Sequence, residues 1–172
     1  MPASLRDERR HDACWLSHPR YGERVSVPPR LQAIIAEFQA APKALRLQLL
    51  LEYANRVPPP PDSFRRGREM ERVDECQTPL HLATEFLGDG SVQLHFDAPA
   101  DAPTTRGFAG ILSCGLSGLP KGDILAVDDD FYVDMGLAEV ISPLRLRGMS
   151  AMVARIKRQV REHEQAEPGG GR

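Results

Sequence analysis

The chain of 172 residues contains few cysteines and no long apolar run. Its three cysteines, Cys14, Cys76 and Cys114, are odd in number and widely spaced. This spacing argues against a disulfide framework and favours a reducing compartment. No apolar stretch approaches the ~20 residues that span a bilayer, and residues 1–30 contain no segment of signal-peptide character. We therefore expect a cytoplasmic protein with no membrane association.

Neither sign of charge dominates the composition. Lysine and arginine number 22 against 24 aspartates and glutamates, for a net charge of -2. Nothing in this balance indicates a nucleic-acid partner. The charge is segregated, however, because residues 121–139 are mainly acidic and residues 145–163 mainly basic. Such charged runs are usually solvated faces of the protein. The two faces here have opposite charge and can attract each other. The alternative is that they form a docking surface for a protein partner.

The patterns along the chain predict one domain with a tail at each end. Residues 1–30 are polar, charged and interrupted by prolines, which is typical of a mobile tail. Residues 31–164 carry the periodic patterns of a folded domain. The Gly-rich residues 165–172 are expected to form a disordered end. A translation start at Val25 or Val27 would remove most of the first tail.

The first half of this domain predicts two helices followed by a hairpin. One apolar stripe runs from Leu31 to Phe38, and a second helix after Pro42 uses Leu47, Leu50, Leu51 and Ala54. The prolines of residues 58–61 end it, and residues 62–70 are expected to be a loop. Alternating apolar residues in 80–86 and 92–96, separated by a Gly-Asp-Gly turn, then predict a β-hairpin.

The second half predicts more helix. Apolar residues at helical spacing indicate a helix from Thr104 to Leu116, and two short helical pieces are expected within residues 121–141. Ser142 and Pro143 are an N-cap and a first-turn proline for a long final helix. The predicted fold class is therefore α+β, a small antiparallel sheet with helices packed on one face.

Cys76 is the strongest candidate for chemistry because it precedes a predicted strand and has no cysteine nearby. A lone thiol on such a loop suits nucleophilic sulfur chemistry, which requires the thiolate. Asp74 and Glu75 would raise the pKa of this thiol and Arg72 would oppose them, so a further positive group must come from the fold or from a partner. The alternative is a buried structural cysteine, the role that we expect for Cys114.

The residues around Cys76 carry a family resemblance. The run Arg72-Val73-x-Glu75-Cys76-x-Thr78 resembles the pattern Arg-Val-x-Gly-Cys-x-Ser of the sulfur-accepting loop in the SufE family. Thr78 replaces the serine and Glu75 replaces the glycine. The family pattern continues with a valine and a tryptophan, which Leu80 and His81 replace here. A glycine would permit a positive φ that glutamate adopts only at a cost. We expect this acid either to reshape the loop or to tune its response to a donor.

Two further segments extend the resemblance. Asp101 followed by Arg106-Gly107 is similar to an acidic element of the SufE family, and Ser142-Pro143-x-Arg145-x-x-Gly148 to its Ser/Thr-Pro-x-Arg-x-x-Gly element. The resemblance implies a SufE/IscU-like fold and a sulfur-accepting site formed by Cys76, Arg145 and Asp101. Near a helix N-terminus, Arg145 could supply the positive field that Cys76 lacks. The alternative is that Arg145 only ties the final helix to the sheet.

The function implied by the resemblance is sulfur transfer. The chain would accept persulfide sulfur from a SufS-like cysteine desulfurase, stimulate that enzyme, and deliver the sulfur to an iron–sulfur assembly scaffold. It would be an accessory protein rather than an independent enzyme and would hold no cofactor or metal, since pyridoxal phosphate would belong to the desulfurase. A rhodanese-type sulfurtransferase is an alternative donor.

Three other functions stay open at this point. An iron–sulfur scaffold would need about three cysteines and another ligand converging on one site. An independent cysteine hydrolase would need a base, for which only His81 is available. A non-catalytic interaction module would result if Glu75 disables the loop.

Overall fold

The computed structural model describes residues 27–65, 70–78 and 80–166. The predicted N-terminal tail as far as residue 26, and residues 167–172 of the predicted C-terminal end, lie outside the described residues. Gln165 and Ala166, at the start of that predicted end, belong to the last helix.

Three helices precede the sheet: α1 (Pro29–Ala40), α2 (Lys43–Ala54) and the short α3 (Asp62–Arg65). Helix α1 begins with a proline, which is tolerated where the backbone N–H has no helical partner. Its predicted stripe from Leu31 to Phe38 is buried. Helix α3 lies in a segment that the sequence predicted to be a loop.

The predicted stripe of α2 was partly wrong. Leu50, Tyr53 and Ala54 are buried, whereas Leu47 is 42% and Leu51 37% exposed. Helix α2 packs against α4 through the narrow face that carries these buried residues. The leucines of α2 lie all round the helix, so their periodicity does not identify the buried face.

The sheet has four antiparallel strands in the order β1 (Glu71–Arg72), β2 (His81–Phe86), β3 (Ser91–Asp97) and β4 (Leu119–Pro120). The predicted hairpin is β2 and β3, in which Leu82 pairs with Phe96 and Phe86 with Val92. The sequence did not predict β1 and β4, because a strand of two residues is too short to show alternation.

The second half contains α4 (Pro103–Leu116), α5 (Lys121–Ala126), two short 3-10 helices (Phe131–Met135 and Leu137–Glu139) and α6 (Pro143–Ala166). Helix α4 begins one residue before the predicted start. Residues 121–141 contain three helical pieces instead of the two predicted. The α+β class and the long C-terminal helix are confirmed.

The core lies between the sheet and the helices α4 and α6. Val92, Leu94 and Phe96 of β3 are at most 2% exposed. Helix α6 covers β2 through Gln159, whose side-chain oxygen accepts hydrogen bonds of 3.0 Å from both the N–H and the hydroxyl of Thr84. The long helices therefore occupy one face of the sheet, and Phe64 of α3 stacks near His95 on the other face.

An ion pair joins the two charged segments. Lys157 of α6 is buried and lies 2.6 Å from Asp129, with its Nζ also donating to the Val127 carbonyl. The other ion pairs of α6 go to acidic residues of β1 and the adjoining loop and, within the helix, to Glu162. The expected attraction between the segments is thus local, and a docking role for them stays a prediction.

Candidate functional site

Cys76 lies between β1 and β2, in a loop whose described residues 73–78 and 80 we call the thiol loop. Val73 and Leu80 at its two ends are fully buried, and the Val73 N–H donates a hydrogen bond of 2.9 Å to the Leu80 carbonyl. Within the loop, the Cys76 N–H donates to the Val73 carbonyl at 3.3 Å. The ends of the loop are therefore anchored in the core, while its tip extends from the sheet edge and carries the thiol.

The sulfur of Cys76 rests against helix α6 at Gly148. A Cβ built on Gly148 would lie only 3.0 Å from Sγ of Cys76. The glycine thus leaves a shallow groove in the helix surface that the thiol occupies. Cys76 is half-buried as a result. The Ser-Pro-x-Arg-x-x-Gly element was singled out in the sequence for its arginine, and the structure shows that its glycine is the residue in contact with the thiol.

This environment disfavours the thiolate. Burial and then the neighbouring charge of Glu75 raise the pKa of Cys76 to about 11, against a smaller lowering by Arg155. At pH 7 such a thiol is ionised in only about one molecule in ten thousand. The closed loop therefore protects a protonated thiol. The positive group that the sequence required is present in Arg155, but Glu75 opposes its effect.

Arg155 of α6 joins the thiol loop to strand β1. Its Nη1 lies 2.7 Å from Oε2 of Glu75, and its Nε donates a hydrogen bond of 3.0 Å to Oε1 of Glu71. Glu71 also accepts hydrogen bonds from Arg158 and from Gln159, the latter at 2.9 Å. These donors lower the pKa of Glu71 despite its partial burial, and the loop's own backbone together with Arg155 lowers the pKa of Glu75.

Sequence reasoning missed Arg155 and Glu71. The available signal was the spacing of Arg155 and Arg158, which places two cations on one side of a helix. Helical spacing alone does not show which acidic residues these cations face. Glu75 was noted in the sequence as a departure from the family glycine, and the structure provides its partner.

Arg145 and Asp101, the other two predicted site residues, are both exposed. Arg145 lies in the first turn of α6, three residues before Gly148, so it is on the side of the helix near the thiol. Within the described residues, neither side chain forms a hydrogen bond or ion pair with Cys76. Arg145 also makes no ion pair with the sheet among the described residues. The alternative that Arg145 ties α6 to the sheet therefore has no supporting contact.

The element that contains Arg106 and Gly107 serves the fold. The guanidinium of Arg106 donates hydrogen bonds to the carbonyls of Ala54, Ala98 and Val57 at 3.0, 2.8 and 3.4 Å. A Cβ on Gly107 would lie 2.6 Å from the Leu50 carbonyl oxygen. Together these residues fix the close packing of α4 on α2.

The remaining candidates lie away from the thiol. Cys114 is buried in α4, which agrees with the structural role expected for it. His81 on β2 pairs with Arg72 and Asp97 across the sheet, and among the described residues no hydrogen bond joins it to Cys76. The Cys14 segment lies outside the described residues.

The described residues contain no group of three or more His, Cys, Asp or Glu side chains placed to hold a metal ion. No helix in the described ranges is long and apolar enough to cross a membrane.

Fold and site together define a small α+β protein that presents a free thiol on a loop at the sheet edge, against a glycine of the last helix. Comparison with known proteins identifies the family. Residues 32–160 match the model of the SufE domain, described as an Fe-S metabolism associated domain. The chain therefore belongs to the SufE family.

Individual relatives agree with this assignment. An uncharacterized SufE-like protein of Mycobacterium tuberculosis is 53% identical over 80% of this chain and 95% of its own length. The cysteine desulfuration protein SufE of Plasmodium vivax is 26% identical over 78% of this chain and 54% of its own. The solution structure of a hypothetical protein from Thermus thermophilus superposes with a TM-score of 0.73 at 45% identity, covering 82% of this chain and all of that one.

Proposed function

We propose that this protein accepts sulfur on Cys76 from the persulfide of a cysteine desulfurase and passes it on for iron–sulfur cluster assembly. The observation that carries the proposal is the placement of Cys76, a free and half-buried thiol held by an anchored loop against Gly148. Membership of the SufE family supports the reaction class. The name of the Plasmodium relative, a cysteine desulfuration protein, supports the choice of donor.

The proposed step is a thiol–persulfide exchange with no net oxidation. The thiolate of Cys76 attacks the terminal sulfur of the donor's cysteine persulfide and forms a new S–S bond. The S–S bond of the donor breaks, and the donor cysteine leaves as a thiolate that takes up a proton. The product is a persulfide on Cys76, and a second exchange transfers its terminal sulfur to the next acceptor.

We assign complementary roles to a closed and an open state of the loop. In the closed loop the thiol is protonated and shielded by α6, which would protect a persulfide from reaction with solvent oxidants and other thiols. Reaction requires the tip to move outward, because burial is the largest cause of the raised pKa of Cys76. The buried ends at Val73 and Leu80 allow this motion without unfolding the sheet.

Arg145 is the residue that we assign to recognition of the incoming persulfide. It is exposed in the first turn of α6, where the helix N-terminus adds to its positive field. Asp101 is exposed in the turn before α4, and we assign it to contact with the donor protein. In this role the protein is an accessory of the desulfurase, which holds the pyridoxal phosphate and which it would stimulate by removing sulfur.

The test is intact-protein mass spectrometry after incubation with a SufS-type cysteine desulfurase, cysteine and pyridoxal phosphate. The wild-type protein should gain one sulfur that is removed by dithiothreitol and that maps to Cys76, and Cys76→Ser should gain none. Loading by a rhodanese-type sulfurtransferase and not by the desulfurase would replace the proposed donor. Failure of both donors to load Cys76 would disprove sulfur acceptance.

A further inference from the structure

The tip of the thiol loop, residues 74–78, has few attachments to the rest of the protein. Its contacts with the chain just before it are the hydrogen bond from the Cys76 N–H to the Val73 carbonyl and the pair between Asp74 and Arg72 at 3.1 Å. The sulfur packs in the groove at Gly148. Among the described residues, the ion pair of Glu75 with Arg155 is the polar contact that joins this tip to α6.

Arg155 is held in place independently of the loop. Its Nε is bonded to Glu71, whose other oxygen is held by Arg158 and Gln159, and Gln159 is bonded in turn to Thr84 of β2. Arg155 is only 17% exposed at its side chain, whereas Glu75 is 47% exposed. If the pair separates, Glu75 can move with the loop while Arg155 stays on the sheet edge.

We propose that Arg155 is a positioning residue that keeps the thiol loop closed by binding Glu75, so that opening of the loop requires Glu75 to be released. This inference deepens the proposed function, because the pair would set how readily Cys76 meets a donor. The residue that departs from the glycine of the SufE loop pattern is then a functional part of this chain. A partner that offers a cation to Glu75 would open the loop.

Substituting one or the other partner of this ion pair distinguishes two effects on the thiol, its exposure and its ionisation. Loss of Glu75 opens the loop and also removes the negative charge that raises the pKa of Cys76. Loss of Arg155 opens the loop but leaves that charge next to the thiol. Both losses therefore expose the thiol, but only the first also favours its ionised form.

The experiment compares Glu75→Gln, Arg155→Gln, the double variant and Arg155→Lys, with Arg158→Gln as the matched control. Arg158 lies on the same helix and binds Glu71 but not Glu75. Hydrogen exchange of the peptide covering the loop tip measures opening, and alkylation by iodoacetamide measures access to Cys76. Thermal unfolding verifies that each variant is folded.

Each single Gln variant should speed exchange of the loop tip by roughly 2–5-fold, the range for loss of a partly exposed ion pair. The double variant should exchange no faster than the singles, since both remove one interaction. Arg155→Lys should restore part of the protection, Arg158→Gln should leave it unchanged, and Glu75→Gln should be alkylated faster than Arg155→Gln.

Wild-type exchange rates in both Glu75→Gln and Arg155→Gln would overturn the proposal. Equal acceleration by Arg158→Gln would also overturn it, because the effect would then be a general loosening of β1 and α6. Neither measurement involves a desulfurase. If the variants show this exchange pattern but Cys76 is never loaded with sulfur, the proposed function is overturned and the role of Arg155 stands. If Cys76 is loaded but the variants exchange like the wild-type protein, the role of Arg155 is overturned and the proposed function stands.

Discussion

Sγ of Cys76 occupies a groove that exists because Gly148 has no side chain, since a Cβ at this position would approach the sulfur to 3.0 Å. The distance is shorter than ordinary van der Waals contact, so even a methyl group on α6 would displace the thiol. Cys76 and the last helix, which are far apart in sequence, are thereby coupled at one point.

Gly148→Ala should push the thiol loop outward. We expect alkylation of Cys76 to become several-fold faster while the free energy of unfolding stays within about 1 kcal/mol, because alanine also favours the helix by about that amount. Iodoacetamide kinetics and denaturant unfolding measure the two quantities.

Gly122→Ala is the matched control for this substitution. Gly122 lies in α5, and a Cβ there meets nothing within 4 Å. It should leave alkylation at the wild-type rate. An unchanged rate in Gly148→Ala would show that the thiol does not depend on this groove.

The alkylation rate of native Cys76 should depend on pH with a midpoint near the pKa of about 11 set by burial and Glu75. A raised pKa means less thiolate at every pH below the midpoint. Between pH 7 and 9 the rate should therefore rise about tenfold per pH unit and stay well below that of an ordinary cysteine, whose pKa is about 8.5.

The comparison for the pH profile is the same protein unfolded in urea, with Cys76→Ser as the blank in each case. The unfolded chain should reach half of its maximal rate about two pH units lower than the native protein. A native midpoint near that of the unfolded chain would mean that the loop is open in solution.

Arg145→Gln should lower the rate at which the desulfurase loads sulfur onto the protein by about tenfold, because one charge-assisted contact is lost. Thermal stability should change little. Arg145 is exposed and makes no ion pair among the described residues, so the fold does not depend on it. Initial rates of persulfide formation over a range of desulfurase concentrations measure the effect.

Arg147→Gln is the control for Arg145, because Arg147 is also exposed but faces a different side of α6. Its loading rate should match that of the wild-type protein. Equal losses in the two variants would indicate general attraction between a basic surface and the donor instead of a specific role of Arg145.

Gly110→Ala should destabilise the protein by about 3 kcal/mol or more. A Cβ at this position would lie 2.0 Å from the carbonyl oxygen of Tyr53, so helices α2 and α4 would have to separate. Urea unfolding followed by circular dichroism measures the change.

Gly88→Ala serves as the comparison, since Gly88 lies in the exposed hairpin turn and a Cβ there meets nothing within 4 Å. Its free energy of unfolding should remain within about 0.5 kcal/mol of the wild-type value. Similar stability of both variants would contradict the close packing of α2 on α4.

The sequence predicted the main elements wherever periodicity extended over several turns or alternations. The stripe of α1 and the pairing of β2 with β3 are examples, because one repeated face must be buried in each. It failed at α2, whose leucines lie on all sides, and at the two-residue strands β1 and β4. For α2 and β4 the deciding contact comes from a distant part of the chain.

By itself the sequence identified Cys76 as the candidate thiol and residues 142–148 as the start of a long helix, since both segments carry recognisable local patterns. Only the tertiary structure decided that the glycine of that element shelters the sulfur and that Arg155 binds Glu75. The physical reason is that a contact between side chains from separate segments depends on how α6 lies across the sheet edge, and local spacing does not encode that arrangement.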